Sequence, residues 1–182
     1  MSVSTLLSDQ HRLLTAIILC LNQLLAEQQT RPHCASPLDL KSSPTISVGD
    51  YITRTLGRHL GIHRYMNCSV AVFVNAVALL DRAQENNPEF VIHPRNIHRL
   101  VLIANVVSAK YLDDLFFKNS FYANVGGVPL KVLNELEAEF LKLVNFNCHV
   151  ELPTLEAYMS RLETFEAVSE REEGEEARSG TK

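Results

Sequence analysis

The run Asn96–Phe117, NIHRLVLIANVVSAKYLDDLFF, constrains the fold more than any other part of the chain. From Leu100 to Ala109 it is apolar on every side apart from Asn105 and Ser108, the pattern of a helix enclosed by neighbours on all faces rather than along one stripe. Such a helix forms the axis of a domain. With no glycine or proline break, the run then changes character at Lys110, Tyr111, Asp113 and Asp114. Ionisable groups delivered by the last turn of a buried helix mark this end as a place to look for function.

Shorter helices can be set around this axis. Ser47 and Asp50 have the S-x-x-D spacing of a capping-box variant, opening a helix through Tyr51, Ile52, Leu56 and Leu60, with Gly61 as its stop. A second helix runs from about Ser69 to Gln84, where VAVFVNAVALL is apolar nearly all round and Asn67 or Ser69 can cap the start. Its β-branched residues also suit a buried strand, but its length and the lack of any alternating partner strand decide for helix. Pro88 and Pro94 bracket a connection, Pro94 suiting the first turn of the central helix. Asn119 to Val125 adds one or two turns before Gly126-Gly127, and Pro129 opens a helix through Val144. Pro153 precedes a last helix with Leu155, Tyr158, Met159 and Leu162. The chain therefore reads as all-α, with about five core helices and a further helix at each end.

The ends have their own composition. Apolar pairs at Leu6-Leu7, Leu13-Leu14, Ile17-Ile18 and Leu24-Leu25, with Leu21 between, predict an amphipathic helix that packs on its own domain or on a partner. Arg31 to Thr45 carries three prolines and three serines and reads as a linker. Seven of the 21 acidic residues fall after Leu162 with three of the 17 bases, so the body balances fourteen against fourteen. That neutrality lacks the positive field nucleic-acid binding needs. The glutamate-rich terminus is expected to leave its helix near Val168 and continue as a solvated tail.

No apolar run reaches the roughly 20 residues that span a bilayer, and no basic region precedes the first leucines, so neither a membrane segment nor a signal peptide is indicated and an intracellular protein is expected. The four cysteines, Cys20, Cys34, Cys68 and Cys148, lie far apart, without the C-x-x-C spacing of a zinc site or the density of a disulfide framework. His59 and His63 have i, i+4 spacing but no third ligand nearby, so solvated or capping histidines are expected and no metal.

Charges trapped on apolar faces point to chemistry. In the Pro129–Val144 helix, Leu130, Leu133, Leu136, Phe140, Leu141 and Val144 form one stripe, and Glu137 lies inside it. Asp81 ends a helix that is otherwise apolar, and a buried unpaired carboxylate costs several kcal/mol. Arg54 and Lys110 are the available cations. Arg54 with Asp81 and Lys110 with Glu137 would satisfy all four, but the sequence by itself allows the opposite pairing equally.

The residues V-A-L-L-D-R (77–82), S-A-K-Y-L-D-D (108–114), Y-A-N-V-G-G (122–127) and L-N-E-L-E-x-x-F-L-x-x-x-x-F (133–146) resemble the cyclin box. P-T-I-S-V-x-D-Y-I-x-R at its start, N-x-H-R-L (96–100) and the double glycine are similar to the P/U-type cyclins of the phosphate-response class. The likeness covers roughly Ser43 to Val150. It implies a single five-helix cyclin box over 46–150, flanked by an N-terminal helix (1–30), a linker (31–45), a C-terminal helix (151–168) and an acidic disordered tail (169–182). It further implies an internal Arg54–Asp81 ion pair fixing the first box helix on the second, and a kinase interface at Lys110, Glu137, Tyr111, Asp113 and Asp114. The implied function is regulatory rather than enzymatic: binding and activation of a cyclin-dependent protein kinase in the nucleus or cytoplasm, in cell division or phosphate signalling. No cofactor, metal, nucleic acid or small-molecule substrate is expected.

The chain also departs from the mitotic cyclins. Their substrate-docking apolar patch is replaced by Y-I-T-R-T-L, and no second cyclin-like repeat follows Val150. Asp113 or Asp114 is expected to reach a kinase arginine that otherwise binds a phosphorylated activation loop, a charge-assisted contact a carboxylate can imitate; the competing reading is a solvated helix end. A scaffold or transcription module on the same helices is the alternative, with Arg54, Arg58, Arg64, Arg82, Arg95, Arg99 and Lys110 as an anion-binding patch. Paired acid–base catalysis by Asp81, Asp113, Asp114 and Glu137 has no accompanying nucleophile, phosphate loop or dinucleotide fingerprint.

Overall fold

A computed structural model describes the backbone of residues 3–28, 30–32, 34–56 and 68–179, and the side chains of these from 12 to 165. Among the described residues there are helices and no strands: α1 (Val3–Gln28), α2 (Val48–Leu56), α3 (Val70–Asn86), α4 (Ile97–Leu112), α5 (Asn119–Gly126), α6 (Leu130–Leu143) and α7 (Leu152–Ser179). Helix α4 lies against α2, α3 and α6, while α1 and α7 pack on each other and reach the body through α2 and α3 respectively. No described helix is long and apolar enough to cross a membrane.

All residues of α4 from Leu100 to Ala109 are buried, as the all-round apolar pattern predicts. Its two polar interruptions are useful inside the core. Asn105 Nδ2 donates to the Val101 carbonyl at 2.8 Å, and Ser108 Oγ accepts Asn75 Nδ2 of α3 at 2.9 Å. Pro94 lies in the turn before α4 rather than in its first turn. Asn96 closes that turn, its Oδ1 accepting the His93 N–H at 2.9 Å. Helix α2 starts as expected, with Ser47 Oγ accepting the Asp50 N–H at 3.0 Å and donating to Asp50 Oδ2 at 2.7 Å. Its continuation through Leu60 to Gly61, and the cap at Asn67, lie outside the described residues. Ser69 occupies the N-cap of α3 without a side-chain capping bond.

The α5–α6 corner requires its two glycines for different reasons. Gly127 has φ of 68°, left-handed, where a residue without Cβ is unstrained. Gly126 is helical, but a Cβ there would collide with the side chain of Leu102, which is buried in α4. The corner is also tied to α2, because Tyr51 Oη donates to the Gly126 carbonyl at 3.1 Å. Burial pushes the Tyr51 phenol up to about 12, so it remains a donor.

The terminal helices decide one open expectation and correct another. The described part of α1 buries Leu13, Leu14, Ala16, Ile17 and Leu21, and Gln28 Oε1 accepts hydrogen bonds from the Ile92 N–H and from Gln84 Nε2, each at 3.0 Å. Of the two readings of this stripe, packing on its own domain is the one observed. Helix α7, by contrast, does not end at Val168 but continues to Ser179. Glutamate, alanine and arginine are good helix formers even where no core contact is available, so low hydrophobicity there did not imply a disordered chain.

The 31–45 stretch is docked rather than free. Leu38 is buried in the core. Asp39 Oδ1 meets His93 Nε2 at 3.1 Å and Asn96 Nδ2 at 3.4 Å, and the Asp39 carbonyl accepts Arg99 Nη1 at 3.0 Å. Leu40 N–H then donates to the Arg95 carbonyl at 2.8 Å. Proline and serine content describes the irregular backbone correctly but says nothing about its attachment.

Candidate functional site

The last turn of α4 brings Lys110 to the edge of the domain, and α6 crosses it with Glu137. Lys110 Nζ and Glu137 Oε1 are 2.5 Å apart, with side chains 26% and 19% exposed. The second oxygen, Oε2, accepts Asn119 Nδ2 from α5 at 2.8 Å, and the same amide reaches Asn134 Oδ1 at 2.8 Å. Three helices thus fix one carboxylate. A half-buried pair of this kind gives orientation more than net stability, since its attraction must offset desolvation. Asn119 escaped the sequence reading; its position directly after Lys118, at the start of a predicted helix, was the available signal.

The connection that follows this turn exposes apolar side chains. After Asp113, whose N–H closes α4 on the Ala109 carbonyl, Leu115 is 89% and Phe116 55% exposed, and Phe117 and Tyr111 are also open. Phe117 stacks on Phe121 with ring centroids 4.1 Å apart, and its N–H donates to Tyr122 Oη at 3.2 Å. Tyr111 meets His149 edge-on at 6.3 Å, which places the α6–α7 connection beside the end of α4. Arg82 clamps that connection by donating to the Asn147 and His149 carbonyls, each at 2.8 Å. Within it Asn145 and Phe146 have φ of 52° and 55°, and Phe146 is 70% exposed. An aromatic residue held left-handed is strained in its backbone, and such strain, like an exposed apolar side chain, concentrates at binding sites. Phe146 was also missed as a site residue. Asn145, which tolerates this conformation, was the local hint.

Asp113 is half-buried and Asp114 exposed; neither has an ion-pair partner among the described residues. The Arg54–Asp81 pair does not form. Arg54 lies on the outer face of α2, its guanidinium carbon 5.3 Å from the centre of the Tyr51 ring, whereas Asp81 faces α7. There Tyr158 Oη donates to Asp81 Oδ2 at 2.8 Å. A phenol from a distant helix supplies the donor that a cation was expected to supply, and nothing in local spacing distinguishes the two. The basic group is dispersed too: Arg82 and Arg99 spend donors on carbonyls. His93 and His98 face Asp39 and the Ile46 carbonyl, while Arg58, His59, His63 and Arg64 lie outside the described residues. No group of three His, Cys, Asp or Glu among the described residues could hold a metal ion, and the four cysteines are free.

Burial raises the Asp81 carboxyl above its usual 3.8, more than the Tyr158 hydrogen bond lowers it; Glu85 raises it further and Arg161 opposes. The folded state therefore holds this proton more tightly than the unfolded chain. Its stabilising share is complete below about 3.8 and is lost as pH rises through the folded value. Asp81→Asn keeps an acceptor for Tyr158 and removes the titration. Its melting temperature relative to wild type is expected to be higher at pH 7 than at pH 4, measured by thermal denaturation in matched buffers.

Five helices centred on a buried α4, with a Lys–Glu pair at its exposed end, define a cyclin box. The sequence model of the Cyclin family matches residues 21–148, and the chain belongs to that family, within its P/U-type members. It is 37% identical over 142 residues to Cyclin-U4-1 of Arabidopsis thaliana, covering 78% of this chain and 67% of that protein. Cyclin-U2-2 of the same plant is 36% identical over 125 residues, covering 69% and 51%. Cyclin-P4-1 of Oryza sativa subsp. japonica is 32% identical over 123 residues, covering 68% and 55%. The matched stretch thus spans between half and two thirds of these relatives' lengths.

Proposed function

We propose that the chain is the non-catalytic regulatory subunit of a cyclin-dependent serine/threonine protein kinase, docking through the rim formed by Lys110, Glu137, Tyr111, Asp113, Asp114 and Phe146. The carrying observation is a partly buried Lys110–Glu137 pair at the end of α4, followed by a connection that exposes Leu115, Phe116 and Phe117. Helices α1 and α7 pack elsewhere, on α2 and α3. Aromatic and leucine side chains supply buried area to a partner, and the fixed ion pair supplies orientation and hydrogen bonds at its centre.

The mechanism follows from what such a kinase lacks alone. Its αC helix must move inward for its own Lys–Glu pair to form and its activation loop to order. A rigid helical rim that binds the inward arrangement more tightly shifts the population toward it by that difference in affinity. Asp113 and Asp114 then offer a carboxylate to the arginine that would otherwise hold a phosphorylated loop. A role in phosphate signalling rests on kinship with P/U-type cyclins.

Affinity capture of the intact chain from cells is expected to recover a kinase whose activity toward a histone-type substrate rises on adding the chain. Salt-sensitive DNA retention without a kinase would overturn the reading. With the captured kinase unphosphorylated, Asp113→Asn combined with Asp114→Asn is expected to lower activation about tenfold, a loss of roughly 1.4 kcal/mol of charge-assisted contact. Unchanged activation in that assay would assign both acids to solvent.

A further inference from the structure

The docked strap between α1 and α2 contains two serine-proline dipeptides, Ser36-Pro37 and Ser43-Pro44. Ser43 is exposed. Ser36 is half-buried and belongs to the turn that fastens the strap: its Oγ accepts the Leu38 N–H at 3.2 Å, and its N–H donates to Asp39 Oδ2 at 2.9 Å. Its carbonyl accepts the Asp39 N–H at 2.9 Å. Everything that anchors the strap follows within a few residues, through buried Leu38, the Asp39 carboxylate on His93 and Asn96, and the Asp39 carbonyl on Arg99.

We propose that Ser36 is a phosphorylation site for a proline-directed serine/threonine kinase, and that the phosphate keeps the strap open. The inference stands whether or not that kinase is the chain's own partner. A kinase that requires proline after its acceptor reads an extended segment, whereas Ser36 sits in a turn with Leu38 buried behind it. Transfer therefore takes place in the locally opened strap. There Ser36 Oγ attacks the γ-phosphorus of Mg·ATP; the Oγ–P bond forms as the bond to ADP breaks, and the hydroxyl proton passes to the kinase's catalytic aspartate.

Reclosure then places a group of about two negative charges in the turn occupied by the Asp39 carboxylate, which repels it, and burial of the phosphate adds a desolvation cost. The nearest cation already serves the strap: Arg99 spends Nη1 on the Asp39 carbonyl, so a phosphate that drew this guanidinium to itself would release one of the strap's own anchors. Phosphorylation acts as a ratchet on an opening that is otherwise transient.

The test uses the full chain, a proline-directed kinase and Mg·ATP, with the phosphate located by mass spectrometry and the strap followed by hydrogen exchange. Ser36 is expected to be phosphorylated slowly in wild type and about tenfold faster or more in Asp39→Ala, whose clasp is broken. In the phosphorylated wild-type chain, the Leu38 and Leu40 amides are expected to exchange about tenfold faster or more than in the unmodified chain. Phosphate confined to Ser43 even in Asp39→Ala overturns the site assignment. Phospho-Ser36 with unchanged or greater protection at Leu38 and Leu40 overturns the opening, and this arm needs no substitution, so it survives misfolding of Asp39→Ala.

Discussion

Glu137→Ala is expected to weaken kinase binding by about 2 kcal/mol or more, roughly 30-fold in Kd. The carboxylate is bound on one side by Lys110 at 2.5 Å and on the other by Asn119 at 2.8 Å. Removing it leaves a half-buried ammonium without its acceptor, and Asn119 with Asn134 alone, at the centre of the rim, and in the complex the ammonium would be covered. That uncompensated burial, more than loss of the pair itself, sets the size of the effect. In the free protein Lys110 retains some access to water, so the loss of fold stability is smaller than the loss of affinity. Lys110→Ala is expected to behave in parallel. Calorimetric or surface-based titration of the kinase, alongside thermal denaturation of the variant, separates the two quantities. A fall in melting temperature with unchanged affinity would reduce the pair to a structural brace.

Gly126→Ala is the substitution with the largest expected effect on the fold. An added methyl meets the Leu102 side chain in the buried helix that packs against α2, α3 and α6. Overpacking a filled core costs about 1–3 kcal/mol. The same displacement strains the Tyr51 hydrogen bond to the Gly126 carbonyl, which adds to the upper end of that range. Denaturant unfolding should show a lower midpoint with little change in slope, as expected when stability changes and the surface exposed on unfolding does not. Leu102→Ala combined with Gly126→Ala is expected to recover part of the loss, because the first substitution opens the space the second needs. Full additivity would place the cause elsewhere than in this contact.

The central helix is legible in the sequence because a run that is apolar in every direction has one solution in a small helical domain, complete enclosure. Glu137 inside an apolar stripe likewise announced that it needed a partner, and Ser47 announced a helix start. Pairings between distant helices are not legible in the same way. Asp81 required a donor, but Arg54, Lys110 and Tyr158 were all chemically adequate, and only the approach of α7 to α3 selects the phenol. The strap shows a different blindness. One leucine and one aspartate decide that a proline- and serine-rich stretch is fastened down, and composition averages them away. The continuation of α7 reflects local propensity overriding low hydrophobicity, and Phe146 depends on a backbone angle that no side-chain periodicity encodes.

That angle sets two demands on residue 146 in opposition. Glycine or asparagine would relax the left-handed backbone but discard the ring, whereas a phenylalanine relaxed into ordinary geometry would turn its ring away from where it now points. On the proposed docking surface, a change at this position that stabilises the fold by relaxing the backbone is expected to weaken binding.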